Sequence, residues 1–241
     1  MSPPPIEAAL EPMGLVAPRT QPIPRYLEQV YWWAYVHPNA VQVFEREWLV
    51  NLILFNHYGR LRDAALDAIG HEVSGRTLQV ACVYGNLTPK LRQRLAPDAS
   101  LDVVDILPVQ LSNLAQKLPA DRRVALLQGD SSSLDCDDAR YDQVLLFFLL
   151  HEQPEAVRRA TLSEAMRVLK PGGKLVIVDY HRPIALHPLR PLMRLVFDKL
   201  EPYAIDLWRN DVQSFLPAGT PQPQSKRTWF GGLYQQLVYR R

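Results

Sequence analysis

Residues 143–179 read QVLLFFLLHEQPEAVRRATLSEAMRVLKPGGKLVIVD. Two short apolar runs, 143–148 and 174–179, flank a stretch that is typical of a helix, Pro154–Leu169. Pro171, Gly172 and Gly173 are expected to end that helix, because proline and glycine both disfavour its continuation. A strand, a helix and a second strand in this order predict two parallel strands joined by a crossover helix.

The same alternation extends towards both ends of the chain. Further strands are predicted at 78–82, 101–105 and 124–128, with helices at 89–95 and 108–118 and closing strands at 228–230 and 233–239. Thr88 followed by Pro89 predicts an N-cap with proline at the first helical position. Apolar strands that alternate with helices favour a parallel sheet covered on both faces. The predicted fold class is therefore α/β, Rossmann-like, with a mostly parallel seven-stranded sheet and helices on both faces.

The N-terminal part differs in composition from the rest. Seven of the 21 prolines lie in residues 1–24, which predicts an extended or disordered arm. Residues 25–75 are predicted to form an aromatic-rich helical cap, interrupted at His37-Pro38, because the residue before proline avoids the helical region. Residues 76–241 form the predicted α/β domain.

Composition excludes several classes of protein. The 241 residues carry a net charge of +2, which does not indicate a nucleic-acid surface. Two cysteines can form neither a disulfide framework nor a four-cysteine zinc site, so we expect a reducing, cytoplasmic compartment. The apolar stretch Val144–Leu150 is far shorter than the roughly 20 residues that a spanning helix needs. Residues 1–14 lack a cationic region, so we expect neither a signal nor a transit peptide.

Acidic residues follow the predicted second and third strands, at the sheet edge where α/β proteins bind ligands. Asp105 lies twenty positions beyond Gly85, and an acid there can accept hydrogen bonds from ribose hydroxyls, although it could instead cap a helix. Asp130 could accept from an adenine amine, or Asp130 and Ser131 could form a turn.

The order of these motifs resembles class I S-adenosylmethionine-dependent methyltransferases. The segment Leu169–Leu175 is similar to the turn before the fifth strand in the ubiquinone-biosynthesis methyltransferases, and Tyr141-Asp142 with His151-Glu152 resembles their fourth-strand motif. The resemblance implies S-adenosylmethionine as cofactor.

The first loop departs from that pattern. Where a methyltransferase has an acid and several glycines, this chain has Gln79, Ala81 and Val83, and only Gly85 is retained. Side chains in place of glycines are expected to crowd the amino-acid end of the cofactor, and the lost carboxylate removes a charge near its amino group. The predicted cofactor-binding residues are Gln79, Ala81, Cys82, Val83, Tyr84, Gly85, Asp105, Ile106, Asp130, Ser131 and Phe148.

Three segments together, 31–38, 83–85 and 179–183, resemble the rhodoquinone biosynthesis proteins. This resemblance implies conversion of ubiquinone to rhodoquinone, in which an amino group replaces a ring methoxy group. It also implies S-adenosylmethionine as the amino donor and a divalent metal, manganese, as an aid. A neutral Gln79 would stabilise the cofactor's ammonium form less, which helps its nitrogen to act as a nucleophile.

Histidine is suited to proton transfer near neutral pH, so His151 is the candidate base or metal ligand and His181 the second candidate, with Tyr84 as a third catalytic residue. The alternative for His151 is a cap or a hydrogen-bonded wall residue. Glu152 and Asp179 add carboxylates, but their spacing indicates no particular metal site. Aromatic residues that could stack on a flat quinone are Tyr31, Trp32, Trp33, Tyr35, Tyr58 and Tyr180, with His37 beside them.

Residues 182–199 mix basic and apolar side chains, which is typical of an amphipathic helix on an anionic membrane surface, or of an exposed helix that covers the sheet. Two other functions stay open: a conventional methyltransferase acting on a quinone or phenol, and a non-catalytic relative that binds a quinone or a partner. A nicotinamide oxidoreductase is disfavoured, because no G-x-G-x-x-G follows the first strand.

Overall fold

The fold is built on a seven-stranded sheet. The computed structural model describes residues 22–31 and 44–241. The strands are β1 (Arg76–Val80), β2 (Ser100–Asp105), β3 (Val124–Gln128), β4 (Tyr141–Phe147), β5 (Leu169–Tyr180), β6 (Ser225–Trp229) and β7 (Tyr234–Arg240). Their order is β3-β2-β1-β4-β5-β7-β6. The pairs among β1 to β5 are parallel, and β7 runs antiparallel to β5 and β6, so the predicted mostly parallel sheet is confirmed.

Helices connect the strands and cover the sheet. In chain order they are α1 (Arg25–Val30), α2 (Glu47–Ile53), α3 (Tyr58–Ile69), α4 (Leu87–Gln93), α5 (Pro108–Lys117), α6 (Glu155–Val168), α7 (Arg190–Lys199) and α8 (Asp206–Arg209), with short 3₁₀ turns at Leu150–Glu152 and Val212–Phe215. Six consecutive residues of β5, from Leu175 to Tyr180, are buried. Because successive side chains of a strand point to opposite faces, both faces of the sheet are covered there.

Three predicted boundaries were wrong. Strand β1 ends at Val80 and not at Cys82, because Ala81 takes a left-handed backbone conformation with φ of 72°. Helix α4 begins at Leu87, since the Thr88 hydroxyl donates to the Gln79 side chain rather than capping the helix.

The prolyl-diglycine segment is the third. Helix α6 ends at Val168, and Pro171–Gly173 lies within β5 as an irregularity, where the pairing with β4 shifts register. Gly172 has φ of 77°, a left-handed conformation that glycine adopts easily.

The described part of the predicted cap, residues 25–31 and 44–75, contains three helices, as predicted. Helix α3 packs against β4, β5 and β7 through Leu61, Ala65 and Ile69, so this part of the cap is continuous with the main core. The predicted break at His37-Pro38 and nearly all of the predicted arm lie outside the described residues. The domain boundaries at residues 24 and 75 stay predictions.

Candidate functional site

A cavity opens at the carboxyl ends of β1, β2, β3 and β4. This is the edge at which open α/β sheets bind ligands. Twelve of the predicted site residues line it: Tyr58, Ala81, Cys82, Val83, Tyr84, Asp105, Ile106, Asp130, Ser131, Phe148, His151 and Tyr180. Long-range folding therefore brings most of the predicted cofactor residues and part of the predicted substrate group to one place.

Asp105 is a buried carboxylate at the end of β2. Its Oδ2 accepts the Cys82 backbone N–H at 2.7 Å, and its Oδ1 accepts the Leu107 backbone N–H at 2.8 Å. Burial raises the pKa of Asp105 to about 6, against these backbone hydrogen bonds, which lower it. Each oxygen keeps a second lone pair, so the carboxylate can still accept hydroxyl donors from the cavity.

The loop after β1 is held by polar side chains from distant parts of the chain. The Tyr58 hydroxyl accepts the Asn86 and Leu87 backbone N–H groups at 2.8 and 3.1 Å. Lys117 donates to Glu45 Oε1 at 2.6 Å and to the Gly85 carbonyl at 3.0 Å. Tyr58 thus fixes the loop as well as lining the cavity.

Gly85 and Ala81 give the loop its shape. Gly85 has φ of 84°, and a Cβ there would lie 2.5 Å from the Tyr58 hydroxyl oxygen, so only glycine fits. Ala81 takes a left-handed conformation at a cost of about 1 kcal/mol, and its N–H donates to the Val104 carbonyl at 2.7 Å. The chain therefore keeps a glycine-like backbone at Ala81 but adds a methyl group to the cavity wall.

Gln79 does not line the cavity. Its side chain is fully buried, and its Nε2 donates to the Ala81 carbonyl at 3.0 Å while its Oε1 accepts the Thr88 hydroxyl at 3.0 Å. It ties the loop to α4. The predicted direct effect on the cofactor's amino group is replaced by this positioning role, in which the amide supplies a donor that a carboxylate lacks.

Two other predicted cofactor residues have local partners. Asp130 Oδ1 accepts the backbone N–H and the hydroxyl of Ser132, so the predicted turn forms and Asp130 also lines the cavity. Ser131 shares a hydrogen bond with Thr161 at 2.9 Å and accepts from Gln153 at 3.1 Å.

Tyr84 also lines the cavity. Its hydroxyl accepts from Gln110 Nε2 at 2.9 Å, and its ring stacks on Phe44 with centroids 6.0 Å apart. Burial raises the pKa of Tyr84, against the hydrogen bond from Gln110, which lowers it. Tyr84 is therefore a neutral hydroxyl near neutral pH.

His151 is the centre of a buried charged cluster. Its Nδ1 lies 2.9 Å from Asp179 Oδ1, and its Nε2 lies 3.7 Å from Glu152 Oε1. Burial lowers the pKa of His151, but the charges of Asp179, Glu201 and Glu152 outweigh it and raise that pKa to about 9. Near neutral pH the ring is a cation with donors on both nitrogens, so it is suited to act as an acid or hydrogen-bond donor rather than as the predicted base.

Asp179 fixes this histidine. Its side chain is fully buried and accepts the backbone N–H groups of Leu150 at 2.8 Å and Tyr180 at 2.8 Å. Glu201 faces the same cluster from the end of α7, and its Oε2 is buried without a hydrogen-bond partner among the described residues. Burial raises the pKa of Glu201.

Aromatic rings surround the histidine. Phe148 has φ of 53° and meets His151 and Tyr180 edge-to-face, with centroids 5.8 and 5.5 Å apart. Tyr180 in turn lies 4.9 Å from His151. A flat, apolar ring can be enclosed by such walls, with the imidazolium as its polar contact.

Three predicted residues besides Gln79 lie away from the cavity wall. Gly85 shapes the loop from behind, and Tyr31 is buried with Leu27 and Leu107 in a small separate cluster. His181 is half-buried, and its Nδ1 contacts the Gly232 carbonyl at 2.8 Å. The structure therefore gives His181 no position from which to act in the cavity. Four residues of the predicted substrate group lie outside the described residues: Trp32, Trp33, Tyr35 and His37.

The comparisons with known proteins agree with this geometry. Residues 77–173 match the family model "Methyltransferase domain". The N-methyltransferase NodS from Bradyrhizobium japonicum, solved with S-adenosyl-L-homocysteine, superimposes with a TM-score of 0.58 at 13% identity, over 84% of this chain and 97% of that one. An O-methyltransferase family protein from Burkholderia thailandensis gives 0.61 at 15% identity, over 90% and 61%.

The chain has the class I methyltransferase fold.

Curated relatives have the same fold type by name. Demethylmenaquinone methyltransferase of Staphylococcus aureus is 28% identical over 148 residues, which is 61% of this chain and 60% of that protein. The match thus spans less than two thirds of the relative. In the methyltransferase fold, the loop after β1 and the acid after β2 are the residues that frame the cavity described here.

Several residues of this methyltransferase-fold cavity were missed by the sequence analysis. Tyr26, Phe44, Ile53, Gln110 and Glu201 line it. They come from α1, the segment before α2, α2 itself, α5 and the end of α7, and carry no motif. Helical spacing on α2 and α5 is the only signal that could have indicated Ile53 and Gln110.

The predicted manganese ion has no ligand set in the part of the chain that is described. No three histidine, cysteine or acidic side chains converge there as a metal site requires. We assign no step to a metal.

Proposed function

We propose that this chain is an S-adenosylmethionine-dependent transferase whose acceptor is a quinone ring. The observation that carries the proposal is a single cavity with a ribose-type acid, Asp105, at one end and an aromatic-walled histidine, His151, at the other. The fold supports the cofactor, and the demethylmenaquinone methyltransferase relatives support the class of acceptor.

The nucleoside end of the cofactor would be held by the two acids. Asp105 would accept the ribose hydroxyls on its remaining lone pairs, and Asp130 would accept the adenine amine. Ile106 would cover the base on one side. The methionine part would then extend along Ala81, Cys82 and Val83 towards the aromatic end.

The acceptor ring would lie between Phe148 and Tyr180, with a ring oxygen facing His151. A protonated imidazole held by Asp179 would donate from Nε2 to that oxygen and stabilise negative charge as it develops. Burial of the site makes such a hydrogen bond stronger than it would be in water. His151 would thus activate the ring without a change in its own protonation.

Methyl transfer to a reduced quinone is the reaction that the comparisons favour. A ring nucleophile would attack the sulfonium methyl group, S-adenosylhomocysteine would leave, and a displaced proton would pass to a carboxylate of the cluster. Glu201, which lines the cavity, would be the acceptor of that proton.

Amino transfer to ubiquinone, which would give rhodoquinone, is the second candidate, and the loop after β1 favours it. Ala81 and Val83 add side chains to the cavity wall where the resemblance gives glycine, and neither they nor Gln79 provides a carboxylate at the cofactor's amino end. An uncharged wall favours the neutral amine, which is the nucleophilic form. The amine would attack the ring carbon that bears a methoxy group, and methanol would leave.

One experiment with two labels tests both reactions. The purified protein is incubated with ubiquinone, in oxidised and in reduced form, and with S-adenosylmethionine that carries ¹³C in the methyl group and ¹⁵N in the amino group. Mass spectrometry of the quinone then shows ¹³C for methyl transfer or ¹⁵N for amino transfer. The absence of both labels, under conditions in which the cofactor binds, contradicts the proposal.

Matched variants tie the activity to the cavity. His151→Gln is expected to lower the rate at least 100-fold, because it removes the cationic donor. His71→Gln, on an exposed side chain far from the cavity wall, is expected to retain the rate. Equal rates in both variants would remove His151 from the mechanism.

A further inference from the structure

A basic and apolar surface follows strand β5, and we name it the α7 surface. It comprises the loop 182–189, helix α7 and Arg209 from α8. Its apolar members are unusually exposed: Leu186 is 93% exposed, Ile184 62% and Leu195 56%. Isolated exposed aliphatic residues are ordinary, but several on one loop and helix form a patch that is typical of a contact site.

Helix α7 buries only one side. Met193 and Phe197, four residues apart, point into the core, while Leu192 and Leu195 lie on the exposed side. Burial of the inward pair accounts for the position of the helix. It does not account for leucines on the outer side, since these contribute nothing to the core.

The surface also carries a concentration of positive charge. Arg182, Arg190, Arg194 and Arg209 line one hollow, in which Asp198 is the only acid. None of the four arginines has an ion-pair partner within the described residues, whereas other arginines of the chain, such as Arg123 and Arg167, are paired. Nε of Arg190 is buried and accepted by no group. Unpaired guanidinium groups around one hollow favour phosphate as the partner.

The α7 surface lies directly over the acceptor end of the cavity. The Phe197 ring, on the inner side of α7, is 5.2 Å from the Tyr180 ring, which lines the cavity. Glu201, two residues beyond the end of α7, lines it too. A molecule bound to the outer side of α7 is therefore separated from the cavity by one layer of side chains.

We propose that the α7 surface binds an anionic phospholipid bilayer. The arginines would contact headgroup phosphates, and Ile184, Leu186 and Leu195 would enter the boundary between headgroups and acyl chains. The combination decides the partner, because a soluble phosphate would use the arginines and leave the exposed aliphatic residues without a contact. No helix among the described residues is long and apolar enough to cross the bilayer, so the contact is at its surface. This inference does not depend on the proposed reaction.

Vesicle sedimentation of the full chain tests it. Vesicles of phosphatidylcholine alone are compared with vesicles that contain 30% phosphatidylglycerol, at about 0.1 M and about 0.5 M salt. We expect binding to the anionic vesicles only, with marked weakening at the higher salt, because the Debye length falls below about 5 Å. Equal binding to both vesicles, or no binding to either, overturns the proposal.

Charge-matched variants locate the contact. Arg190→Gln/Arg194→Gln is expected to weaken binding about 30-fold, from about 1 kcal/mol for each basic residue near the surface. Arg76→Gln/Arg122→Gln removes the same charge at the amino edge of the sheet, where both residues are exposed, and is expected to leave binding within about twofold. An equal loss in both variants would mean non-specific attraction and would overturn the assignment.

A second variant tests the apolar part. Leu186→Ser/Leu195→Ser keeps the charge and exchanges exposed side chains, so the fold is expected to be retained, as circular dichroism would show. Vesicle binding is expected to fall at least tenfold. Unchanged binding, with inorganic pyrophosphate competing fully, would mean a soluble anion site instead and would overturn the bilayer proposal.

Discussion

The Asp179→Asn variant tests the charged pair that the proposed site depends on. Asp179 is fully buried and lies 2.9 Å from His151, whose pKa rises from 6.5 to about 9 in the fold. At 1.36 kcal/mol for each pKa unit, this rise corresponds to about 3 kcal/mol of stability. Asparagine keeps the size and an acceptor for the Leu150 N–H but removes the charge. Burial then dominates, and the pKa of His151 should fall below 6.5.

The sign of the pH dependence follows from the raised pKa. Stability from a group whose pKa is raised in the fold is fully present below about pH 6.5 and is lost as the pH rises through about 9. Asp179→Asn should therefore lower the free energy of unfolding by about 3 kcal/mol more at pH 6 than at pH 10.

Urea unfolding at pH 6 and pH 10, together with an NMR titration of the His151 ring, measures both effects. Asp121→Asn is the matched control, because Asp121 pairs with Arg92 and Arg123, which do not titrate in this range. Its cost should be the same at both pH values. A pKa of His151 that stays near 9 in Asp179→Asn, or an equal cost at pH 6 and pH 10, would refute the reasoning.

Three further predictions concern stability and cofactor binding. Arg158 is fully buried and donates to the carbonyls of Leu150, Gln153 and Tyr203, so Arg158→Met should lower the free energy of unfolding by about 3–5 kcal/mol in urea titrations; a loss below 1 kcal/mol would contradict this. Gly85→Ala should cost at least about 2 kcal/mol, because the new Cβ meets Tyr58, whereas Gly172→Ala, with a similar φ and open space, should cost about 1 kcal/mol. Equal costs for the two would show that the Tyr58 contact is unimportant. Affinity for S-adenosylmethionine should fall about tenfold from pH 7.5 to pH 5 by calorimetry, since protonation of Asp105 through its pKa of about 6 removes an acceptor, and Asp105→Asn should abolish this pH dependence.

The fold could be predicted because each of its central strands is a short continuous apolar run. The runs around Val144 and Val176 are buried on both faces, so composition alone marks them. The predicted boundaries failed where side chains decide the local structure. Ala81 ends β1 by its backbone conformation, and Thr88 is used by Gln79, and neither choice is visible in composition or spacing.

The site could be predicted only where it follows strand ends. Asp105 and His151 each come directly after a strand or its first turn, so the parallel topology places them at one edge. Glu201 and Lys117 reach the site or its loop from helix ends, and the contact between Lys117 and Glu45 joins residues 72 positions apart. No motif accompanies such contacts, and they depend on how the helices pack. The direction of the Gln79 side chain depends in the same way on the register of β1.

The central claim is that one cavity holds the cofactor at Asp105 and the acceptor ring at His151. A crystal structure of the protein with S-adenosylhomocysteine and a short-tailed ubiquinone tests this claim most directly. We predict ribose hydroxyls within hydrogen-bond distance of the Asp105 carboxylate, and a ring oxygen within hydrogen-bond distance of His151 Nε2. An adenosyl group bound away from Asp105, or a quinone bound outside the walls formed by Phe148 and Tyr180, would contradict the account.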